Sequence, residues 1–399
     1  MSSTTQKTGF GLGNLPYGIF STVDDTRCRI GIAVETYVLD LSVFLQQQPV
    51  QNLDFDSSVL RDETLNRYAA LGQPVHQHVR AHLQQTLPRL LKQDETGLRA
   101  AGLCPRSEVL NHLPFDIGDY TDFFTSPDHA RRCGEIFRPG QPMGSNFSSM
   151  PLAYHGRSSS IVVSGTDVYR PSGQYLKDGV KTFGPSQKLD FELELGVFVG
   201  KPSQRGKPIA IDEADDHIFG YVLMNDWSAR DIQQFEAQPL GPFNGKNFCT
   251  TDDLPCYLKR SDGRVEHVYD IPVDIFIKAP RYDGTLVMSS NTKHISFSPA
   301  QMLSHHTVGG CPMRAGDLFA SGTLSGATLQ EAGCLLEATW NGIQKLELVS
   351  SQGDGASEDD VRTWLKDGDT VSFCVGGAAS DIDFGACEGT ICSKSSSDT

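Results

Sequence analysis

The sequence predicts an α+β protein that is mostly β, with a smaller N-terminal part and a larger β-rich part. Roughly the first 110 residues combine short alternating apolar runs with one helical apolar pattern. From about residue 117, Gly, Ser, Thr and Pro separate short β-branched runs, as is typical of a large antiparallel or mixed β-domain. With 38% hydrophobic residues among 399, the chain can build one large core or two moderate ones. We therefore predict two domains, residues 1–113 and 114–399.

The individual elements follow from local patterns. Residues 29–34 and 37–41 show largely alternating apolar positions around a short connection, which favours a β-hairpin. Apolar residues recur every four positions along a predicted amphipathic helix: Val75, Val79, Leu83 and Leu87. We expect Pro88 to interrupt this helix, because proline lacks a backbone N–H and clashes with the preceding turn. Three β-branched runs of the larger part predict strands: 160–164, 274–278 and 371–375.

Charge and cysteine usage exclude several classes of protein. Asp and Glu outnumber Lys and Arg by 49 to 34, and a net charge of −15 repels nucleic acid phosphates and anionic lipids. The first residues lack the apolar stretch of a secretory signal, and no apolar run approaches the ~18 residues of a membrane-spanning helix. Ten cysteines are scattered without a C-x-x-C pair, as expected of free thiols in a reducing compartment. We therefore expect a cytoplasmic protein with neither a nucleic acid nor a membrane partner.

Two acidic residues alternate with apolar residues in the segment 191–199. A strand here would place Glu192 and Glu194 on one face, with their Cα atoms about 6.6 Å apart. Two carboxylates that close repel each other unless a cation or a cationic side chain compensates them. The pattern fits a cation site, but it also fits the solvated face of an exposed strand.

A second candidate segment joins a strand to a helix. Residues 219–225 predict a strand that ends at Asp226, and residues 228–236 predict a helix. Four residues would share one face of that helix: Asp226, Arg230, Gln233 and Ala237. This face combines a metal-type acid, a guanidinium group and an amide, although a helix N-cap followed by surface polar residues gives the same pattern.

A histidine, an acid and a lysine stand out elsewhere. His129 lies in an acid-rich stretch, and a histidine becomes a useful general base when a carboxylate orients it. Glu337 is the single acid of the apolar run 334–338, where burial without a partner would be costly. A structural histidine and a glutamate on the wet face of a strand are the alternatives. Lys246, in the Gly- and Pro-rich loop 239–251, could donate to an oxyanion or be solvated, and the loop lacks the spacing of a phosphate-binding motif.

Segments along nearly the whole chain resemble the fumarylacetoacetate hydrolase family, in the order in which that family has them. They are LPYGIFST (15–22), IGDYTDF (117–123), YHGR (154–157), FELE (191–194), MNDWSARDIQ (224–233), PLGPF with GK (239–246) and SGT (321–323). The resemblance implies a small SH3-like N-terminal domain, then a mixed β-roll that carries the active site, in a homodimer. It also implies a metal-dependent hydrolase that cleaves a carbon–carbon bond of a β-diketo acid. The substrate that the resemblance favours is fumarylacetoacetate, which such an enzyme converts into fumarate and acetoacetate in tyrosine catabolism.

The resemblance further implies where cations bind. Four acids match the positions that hold a divalent cation, usually described as calcium: Asp122, Glu192, Glu194 and Asp226. Acidic oxygen donors suit a hard cation such as Ca²⁺ or Mg²⁺. Three residues match a second, magnesium site: Asp226, Lys246 and Thr250. A protonated lysine cannot ligate a metal through its amine, so Lys246 would contribute its main-chain oxygen.

Other matches imply chemical roles. His129 and Glu337 match the general base and the carboxylate that orients it. Three residues match the group that stabilises an oxyanion: Arg230, Gln233 and Lys246. Four residues match substrate contacts: Arg138, Tyr154, Gln233 and Thr323. We expect His129 to take a proton from a water molecule whose oxygen attacks a ketone carbon of a small acidic diketone.

Three residues depart from the family pattern. Phe124 and Ala237 stand where tyrosines contact the substrate, and Cys249 stands in a position that is usually glycine. Each missing phenol hydroxyl removes a hydrogen-bond donor, and a site without that donor discriminates less in favour of a polar substrate group. One alternative is a paralogue that acts on another diketone or oxo acid in a specialised pathway, as a hydrolase, decarboxylase or isomerase. A catalytically silent metal- or metabolite-binding protein is the other.

Overall fold

The computed structural model of the chain describes residues 10–51, 54–140, 143–236, 268–279, 284–348, 361–376 and 382–393. Its strands are β1 (Tyr17–Thr22), β2 (Arg29–Val34), β3 (Tyr37–Asp40), β4 (Leu103–Pro105), β5 (Val109–His112), β6 (Tyr120–Phe124), β7 (Leu152–His155), β8 (Val168–Tyr169), β9 (Ser172–Lys177), β10 (Val180–Pro185), β11 (Leu189–Asp190), β12 (Leu193–Val199), β13 (Ile218–Asn225), β14 (Ser228–Ala229), β15 (Pro272–Lys278), β16 (Thr285–Asn291), β17 (Leu318–Ala320), β18 (Leu346–Glu347), β19 (Val361–Arg362), β20 (Thr370–Val375) and β21 (Cys387–Cys392). Its helices are α1 (Leu41–Gln47), α2 (Asn66–Ala69), α3 (Gln73–Leu90), α4 (Glu95–Ala100), α5 (Pro127–Phe137), α6 (Ile211–His217), α7 (Arg230–Glu236), α8 (Pro299–Thr307) and α9 (Leu335–Ala338). Helices and strands are mixed and sheets dominate, in agreement with the predicted mostly-β character. None of the helices in these ranges combines the length and the apolar character needed to cross a membrane.

The N-terminal part is built on an antiparallel five-stranded sheet in the order β4-β3-β2-β1-β5. β2 and β3 form the predicted hairpin, and Glu35 in its connection adopts a positive φ of 52°, a conformation that tight turns use. The apolar stripe of α3 packs into the core beside this sheet. The helix, predicted to be interrupted near Pro88, ends at Leu90, two residues after this proline. Pro88 lies in the last turn, where its missing N–H costs one hydrogen bond without ending the helix earlier.

The sheet that carries the candidate site lies between two cores. Its order is β13-β12-β17-β6-β7, antiparallel except for the parallel pair β17 and β6. Phe123, Leu195 and Phe319 pack into the core of the larger part, whereas Phe198 and Leu318 pack into the core of the N-terminal part. Burial on both faces explains why all seven residues of β12 are buried. The segment 191–199 is therefore not an exposed strand.

A second five-stranded sheet, in the order β16-β15-β20-β21-β8, completes the larger core. β15 and β20 confirm the strands predicted at 274–278 and 371–375. The strand predicted at 160–164 is wrong: Ser160 ends a short 3-10 turn, and Val162 is 55% exposed in irregular backbone. A β-branched run becomes a strand only where a neighbouring strand and a buried surface are available.

Candidate active site

Strand register brings two acidic side chains to one side of the central sheet. Asp122 of β6 lies opposite Ala320 of β17, which in turn lies opposite Gly196 of β12. Glu194 is two residues from Gly196 and therefore faces the same side as that position. Asp226 directly follows β13, the strand that pairs with β12 on its other edge. One carboxylate oxygen from each of Asp122, Glu194 and Asp226 lies within 4.8 Å of the other two.

Two of these three acids, Asp122 and Glu194, are buried and incompletely hydrogen-bonded, and Asp226 is half-buried. Asp122 is 4% exposed and Glu194 is 1% exposed. Among the described residues, Oδ1 of Asp122 and both carboxylate oxygens of Glu194 have no hydrogen-bond partner. Burial, reinforced by the neighbouring carboxylates, raises the pKa of Asp122 and of Glu194 well above the usual range, and that of Asp226 to about 6. Three carboxylates this close, two of them buried, can all be ionised at neutral pH only if a positive ligand compensates them.

A hard divalent cation would satisfy this group. Carboxylate oxygens that lie this close can converge on one ion, and oxygen-only ligand sets suit Ca²⁺ or Mg²⁺. Tyr154 is the cross-strand neighbour of Asp122, and its hydroxyl donates to Oδ2 of Asp226 at 3.1 Å. Such a hydrogen bond fixes the direction in which a ligating carboxylate points. Asp122, Glu194 and Asp226 are therefore the described residues that could hold a metal.

Glu192, the fourth predicted acid, does not join this group of three. β12 begins only at Leu193, so Glu192 precedes the regular strand, and the predicted alternation does not extend to it. Its Oε1 pairs with Nη1 of Arg230 at 2.7 Å. Glu192 thus pairs with a guanidinium group, while its charge still helps to raise the pKa of all three acids of the group.

A buried histidine–glutamate pair forms the second component of the site. His129 lies in the first turn of α5, where its backbone N–H donates to the hydroxyl of the N-cap residue Ser126 at 3.3 Å. Glu337 is fully buried on α9, so its placement on the wet face of a strand is excluded. Nδ1 of His129 and Oε1 of Glu337 are 2.6 Å apart. We call these two residues the dyad.

Several donors compensate the carboxylate of the dyad. Nη1 of Arg132 donates to Oε2 of Glu337 at 2.9 Å, and the hydroxyl of Ser325 donates to Oε1 at 2.6 Å. Burial would raise the pKa of Glu337, but His129, Ser325 and Arg132 together lower it to about 2. His129, Cys334 and Glu337 are close enough to be considered as metal ligands, yet Glu337 already has a cationic partner. The dyad therefore suits a base and its orienting carboxylate better than a metal site.

The dyad and the three acids interact. The ring of Phe124, at the end of the strand that carries Asp122, contacts the ring of His129, with centroids 5.1 Å apart. Burial dominates the pKa of Glu194, and the charge of His129 opposes it. Burial also disfavours a charged imidazole, but Cys133 and other groups raise the pKa of His129 well above its ordinary value. An imidazole in these surroundings is stabilised once it has accepted a proton.

Arg230 is the buried cation between these components. Its Nε donates to Oδ2 of Asp190 at 2.9 Å, and its Nη1 lies 3.3 Å from Oε1 of Gln233. Within the described part of the chain its Nη2 is buried without a partner, which suits a donor that serves an anionic ligand. The predicted helical face is only partly correct, because α7 begins at Arg230 and leaves Asp226 outside the helix. β14 precedes α7 and pairs with β11 instead of continuing the helix.

The other predicted residues have different surroundings. Thr323 is 2% exposed in the segment that follows β17. Arg138 is exposed at the end of α5, where its backbone N–H donates to the carbonyl of Gly134 at 2.7 Å. Four residues lie outside the described ranges: Ala237, Lys246, Cys249 and Thr250.

Sequence reasoning missed three residues that hold the site together: Arg132, Asp190 and Ser325. Arg132 follows His129 by three positions on α5, a spacing that puts both on one helical face. This spacing could have indicated that Arg132 lies beside the dyad. Asp190 precedes Glu192 by two positions and continues the same alternation of acids, which is also a usable signal. Ser325 gives no local signal, because only the tertiary structure brings it to the dyad.

The chain resembles known proteins along nearly its whole length. Residues 120–392 match the family model described as Fumarylacetoacetate (FAA) hydrolase C-terminal, and residues 13–114 match Fumarylacetoacetase N-terminal. The fumarylacetoacetase fahA of Aspergillus fumigatus is 43% identical over 425 residues, which cover 96% of this chain and 95% of that protein. The fumarylacetoacetases of Oryza sativa subsp. japonica and Rattus norvegicus are 40% and 39% identical, over 96% of this chain and 94% and 96% of theirs.

Solved structures with lower identity share the fold. A fumarylacetoacetate hydrolase from Exiguobacterium antarcticum is 18% identical with a TM-score of 0.51, covering 95% of this chain and 100% of that one. A putative HpcE protein from Mycobacterium smegmatis is 16% identical with a TM-score of 0.52, covering 94% of this chain and 99% of that one. These two likenesses concern the fold alone. The family models and the full-length relatives show that this chain belongs to the fumarylacetoacetate hydrolase family.

Proposed function

We propose that the chain is a metal-dependent hydrolase that cleaves fumarylacetoacetate, a β-diketo acid, into fumarate and acetoacetate. The observation that carries this proposal is the dyad of His129 and Glu337, held beside the acid group of Asp122, Glu194 and Asp226. A base next to a hard-cation site suits the attack of water on a polarised carbonyl group. Full-length relatives that are 39–43% identical are named fumarylacetoacetases, which supports the same reaction.

His129 is the proposed general base. Its Nδ1–H donates to Glu337, which leaves the lone pair of Nε2 to accept a proton from a water molecule. The water oxygen attacks a ketone carbon, and the carbon–carbon bond of the resulting tetrahedral species then breaks. The electron pair of that bond stays on the departing enolate, which takes up the proton held by His129. Glu337 stays ionised throughout, because its surroundings lower its pKa to about 2.

Arg230 is the proposed oxyanion donor. Its Nε and Nη1 are engaged by Asp190 and Glu192, and these two carboxylates direct Nη2 as the remaining donor. One well-placed donor of this kind is worth about 3 kcal/mol in the transition state. Gln233, in contact with Arg230, and Lys246 are proposed to share this role. A bound cation would polarise the diketone oxygens and offset the charge of the enolate.

The remaining roles are proposed from the family resemblance. We assign the cation, Ca²⁺ or Mg²⁺, to Asp122, Glu194 and Asp226, with Glu192 as a further ligand. A second, magnesium site takes Asp226, Lys246 and Thr250, and the substrate contacts are Arg138, Tyr154, Gln233 and Thr323. We also propose an SH3-like domain over residues 1–113, a β-roll over 114–399, a homodimer, and a cytoplasmic role in tyrosine catabolism.

The test follows the diketone absorbance of fumarylacetoacetate while fumarate is quantified. We expect turnover to stop in EDTA and to return with Ca²⁺ or Mg²⁺. His129→Ala should lower kcat by about 10²- to 10⁴-fold. His217→Ala is the matched control, since His217 is also buried but bonds to the carbonyl of Lys201 at 2.7 Å. Turnover that survives both chelation and His129→Ala contradicts the proposal, and release of carbon dioxide instead of fumarate identifies a decarboxylase.

A different diketone is the second candidate substrate, and Phe124 favours it. The ring of Phe124 lies against His129 and offers no hydroxyl where the family pattern has tyrosine. A site without that donor discriminates less in favour of a polar substrate group. The kcat/KM values for diketo acids with a polar or an apolar end decide between the two candidates.

A further inference from the structure

Asp190 is a fully buried carboxylate that does not act on the substrate in the proposed chemistry. Its Oδ1 accepts from the backbone N–H of Phe191 at 2.8 Å and from that of Leu335 at 2.7 Å. Its Oδ2 accepts from the N–H of Leu336 and from Nε of Arg230, each at 2.9 Å. A carboxylate has about four lone-pair sites, so these four donors occupy it fully. Asp190 is therefore a junction between segments and not an acid available to a substrate.

Two of these hydrogen bonds hold α9, the helix that carries Glu337 of the dyad. Leu335 and Leu336 are the first residues of α9, and Glu337 follows them directly. The first N–H groups of a helix need an acceptor, yet the N-cap residue Cys334 makes no side-chain cap bond. Asp190 supplies that acceptor from β11, more than a hundred residues away in the chain. The place of Glu337 therefore depends on Asp190.

A further hydrogen bond of Asp190 holds Arg230, the proposed oxyanion donor. Asp190 binds Nε of Arg230 while Glu192 binds its Nη1, so two carboxylates define the plane of the guanidinium group. A guanidinium held at two of its nitrogens presents the third in one direction. The direction of Nη2 therefore also depends on Asp190.

We propose that Asp190 is a positioning residue that couples the two halves of the site: it orients Arg230 and holds the helix that carries Glu337. This inference rests on the proposed function. A displacement of about 1 Å in a group that acts on the substrate costs about 10²-fold in rate. Removing Asp190 displaces the oxyanion donor and the partner of His129 together.

Asp369 offers a matched control. It is fully buried and accepts from Nε and Nη2 of Arg362 at 2.7 Å each, and from the backbone N–H of Lys366 at 2.8 Å. It thus shares the chemistry of Asp190, a buried aspartate that binds an arginine and a backbone donor. These partners do not belong to the candidate site. Asp369→Asn therefore reports what the loss of such a junction does to the fold alone.

Kinetics with fumarylacetoacetate form the first part of the experiment. Asp190→Asn replaces one acceptor by an NH₂ group that faces a donor, and we expect kcat to fall about 100-fold with KM changed less than about threefold. Asp369→Asn should lower the melting temperature but keep kcat within about twofold. On a Glu337→Gln background, Asp190→Asn should lower kcat by less than about tenfold. The contact of Asp190 with α9 then no longer matters, because the carboxylate that it positions is already absent.

Proton NMR forms the second part and does not require turnover. The Nδ1 proton of His129, shared with Glu337, should give a low-field signal that His129→Ala removes. We expect Asp190→Asn to shift this signal and Asp369→Asn to leave it in place. If Asp190→Asn fails to fold, Asp190→Glu replaces it, because it keeps the charge and moves the carboxylate by one methylene group.

The outcomes separate this inference from the proposed function. Folded Asp190 variants with wild-type kcat and an unmoved His129 signal overturn the inference. A wild-type protein that does not cleave fumarylacetoacetate, but whose His129 signal moves in Asp190→Asn, refutes the proposed function and supports the positioning of the dyad by Asp190.

Discussion

Replacing Asp226 by asparagine should stabilise the metal-free protein at neutral pH. Burial and the charge of Glu192 raise the pKa of Asp226 from its ordinary value of 3.8 to about 6. In the folded chain the carboxyl group thus keeps its proton up to about pH 6, whereas in the unfolded chain it loses the proton near pH 4. Between these values the folded state binds more protons, so the free energy of unfolding falls as the pH rises through this interval.

The size of the effect follows from the pKa difference of about two units. Each unit corresponds to 1.36 kcal/mol, so ionising Asp226 costs the folded protein about 3 kcal/mol at pH 7. Asparagine is neutral in both states and avoids this cost. It can still accept the hydrogen bond from Tyr154. Asp226→Asn should therefore gain up to about 3 kcal/mol at pH 7 and almost nothing below pH 4, where the aspartate is protonated in both states.

Urea unfolding in EDTA at several pH values measures this gain in the free energy of unfolding. The same series with Ca²⁺ measures how much Ca²⁺ binding stabilises each protein. Wild type should be stabilised by about 2.7 kcal/mol when free Ca²⁺ is 100 times its dissociation constant, and Asp226→Asn should gain far less. Asp274→Asn, at an aspartate bonded to Ser289 at 2.6 Å, controls for the loss of an aspartate outside the acid group. A gain that is absent at pH 7, or equally large at pH 4, refutes the reasoning.

Three further expectations follow from the dyad and its surroundings. Because surrounding groups raise the pKa of His129 and the base must be neutral, kcat/KM should rise with pH through that pKa; a flat pH–rate profile contradicts this. Arg132→Met should leave Glu337 buried without its cation and cost about 3–5 kcal/mol in urea unfolding. Lys293→Met, which breaks an exposed ion pair with Asp270, should cost about 1 kcal/mol or less. Phe124→Tyr should raise kcat/KM for fumarylacetoacetate by about tenfold if that position binds a polar substrate group, and an unchanged value would favour a less polar diketone.

Local patterns predicted the elements whose form depends on neighbouring residues in the chain. The alternation at β2, β15 and β20 and the four-residue spacing in α3 are local, and the structure confirms them. The start of β12 is not local, because its pairing with β13 and β17 decides which residue begins the strand. The strand starts at Leu193, two residues after the predicted start, and Glu192 just before it pairs with Arg230.

In the candidate site, too, the sequence predicted what depends on the residue itself and not what depends on distant parts of the chain. Residue chemistry alone indicated that His129 needs a carboxylate and that Glu337 needs a partner, but the two residues are 208 positions apart. Only the family resemblance matched them to one another, and the structure gives their distance. The contacts of Asp190 with α9 also join residues that are far apart in sequence. They involve backbone N–H groups, which nearly every residue has, so the residue types do not reveal them.

The site contains two kinds of buried carboxylate, and their partners explain why they behave in opposite ways. Glu337 is enclosed by Arg132, Ser325 and His129, so its pKa falls to about 2 although it is completely buried. Asp226 is half-buried next to other acids, and the loss of solvation together with the charge of Glu192 raises its pKa to about 6. The first carboxylate carries its cation within the fold and can orient a base whether or not a metal is bound. Within the described ranges, Asp122, Glu194 and Asp226 form no ion pair with a lysine or arginine, so a bound cation would be needed to ionise all three. The candidate site thereby combines a carboxylate whose low pKa keeps it ionised with carboxylates whose raised pKa values favour the protonated form until a cation compensates them.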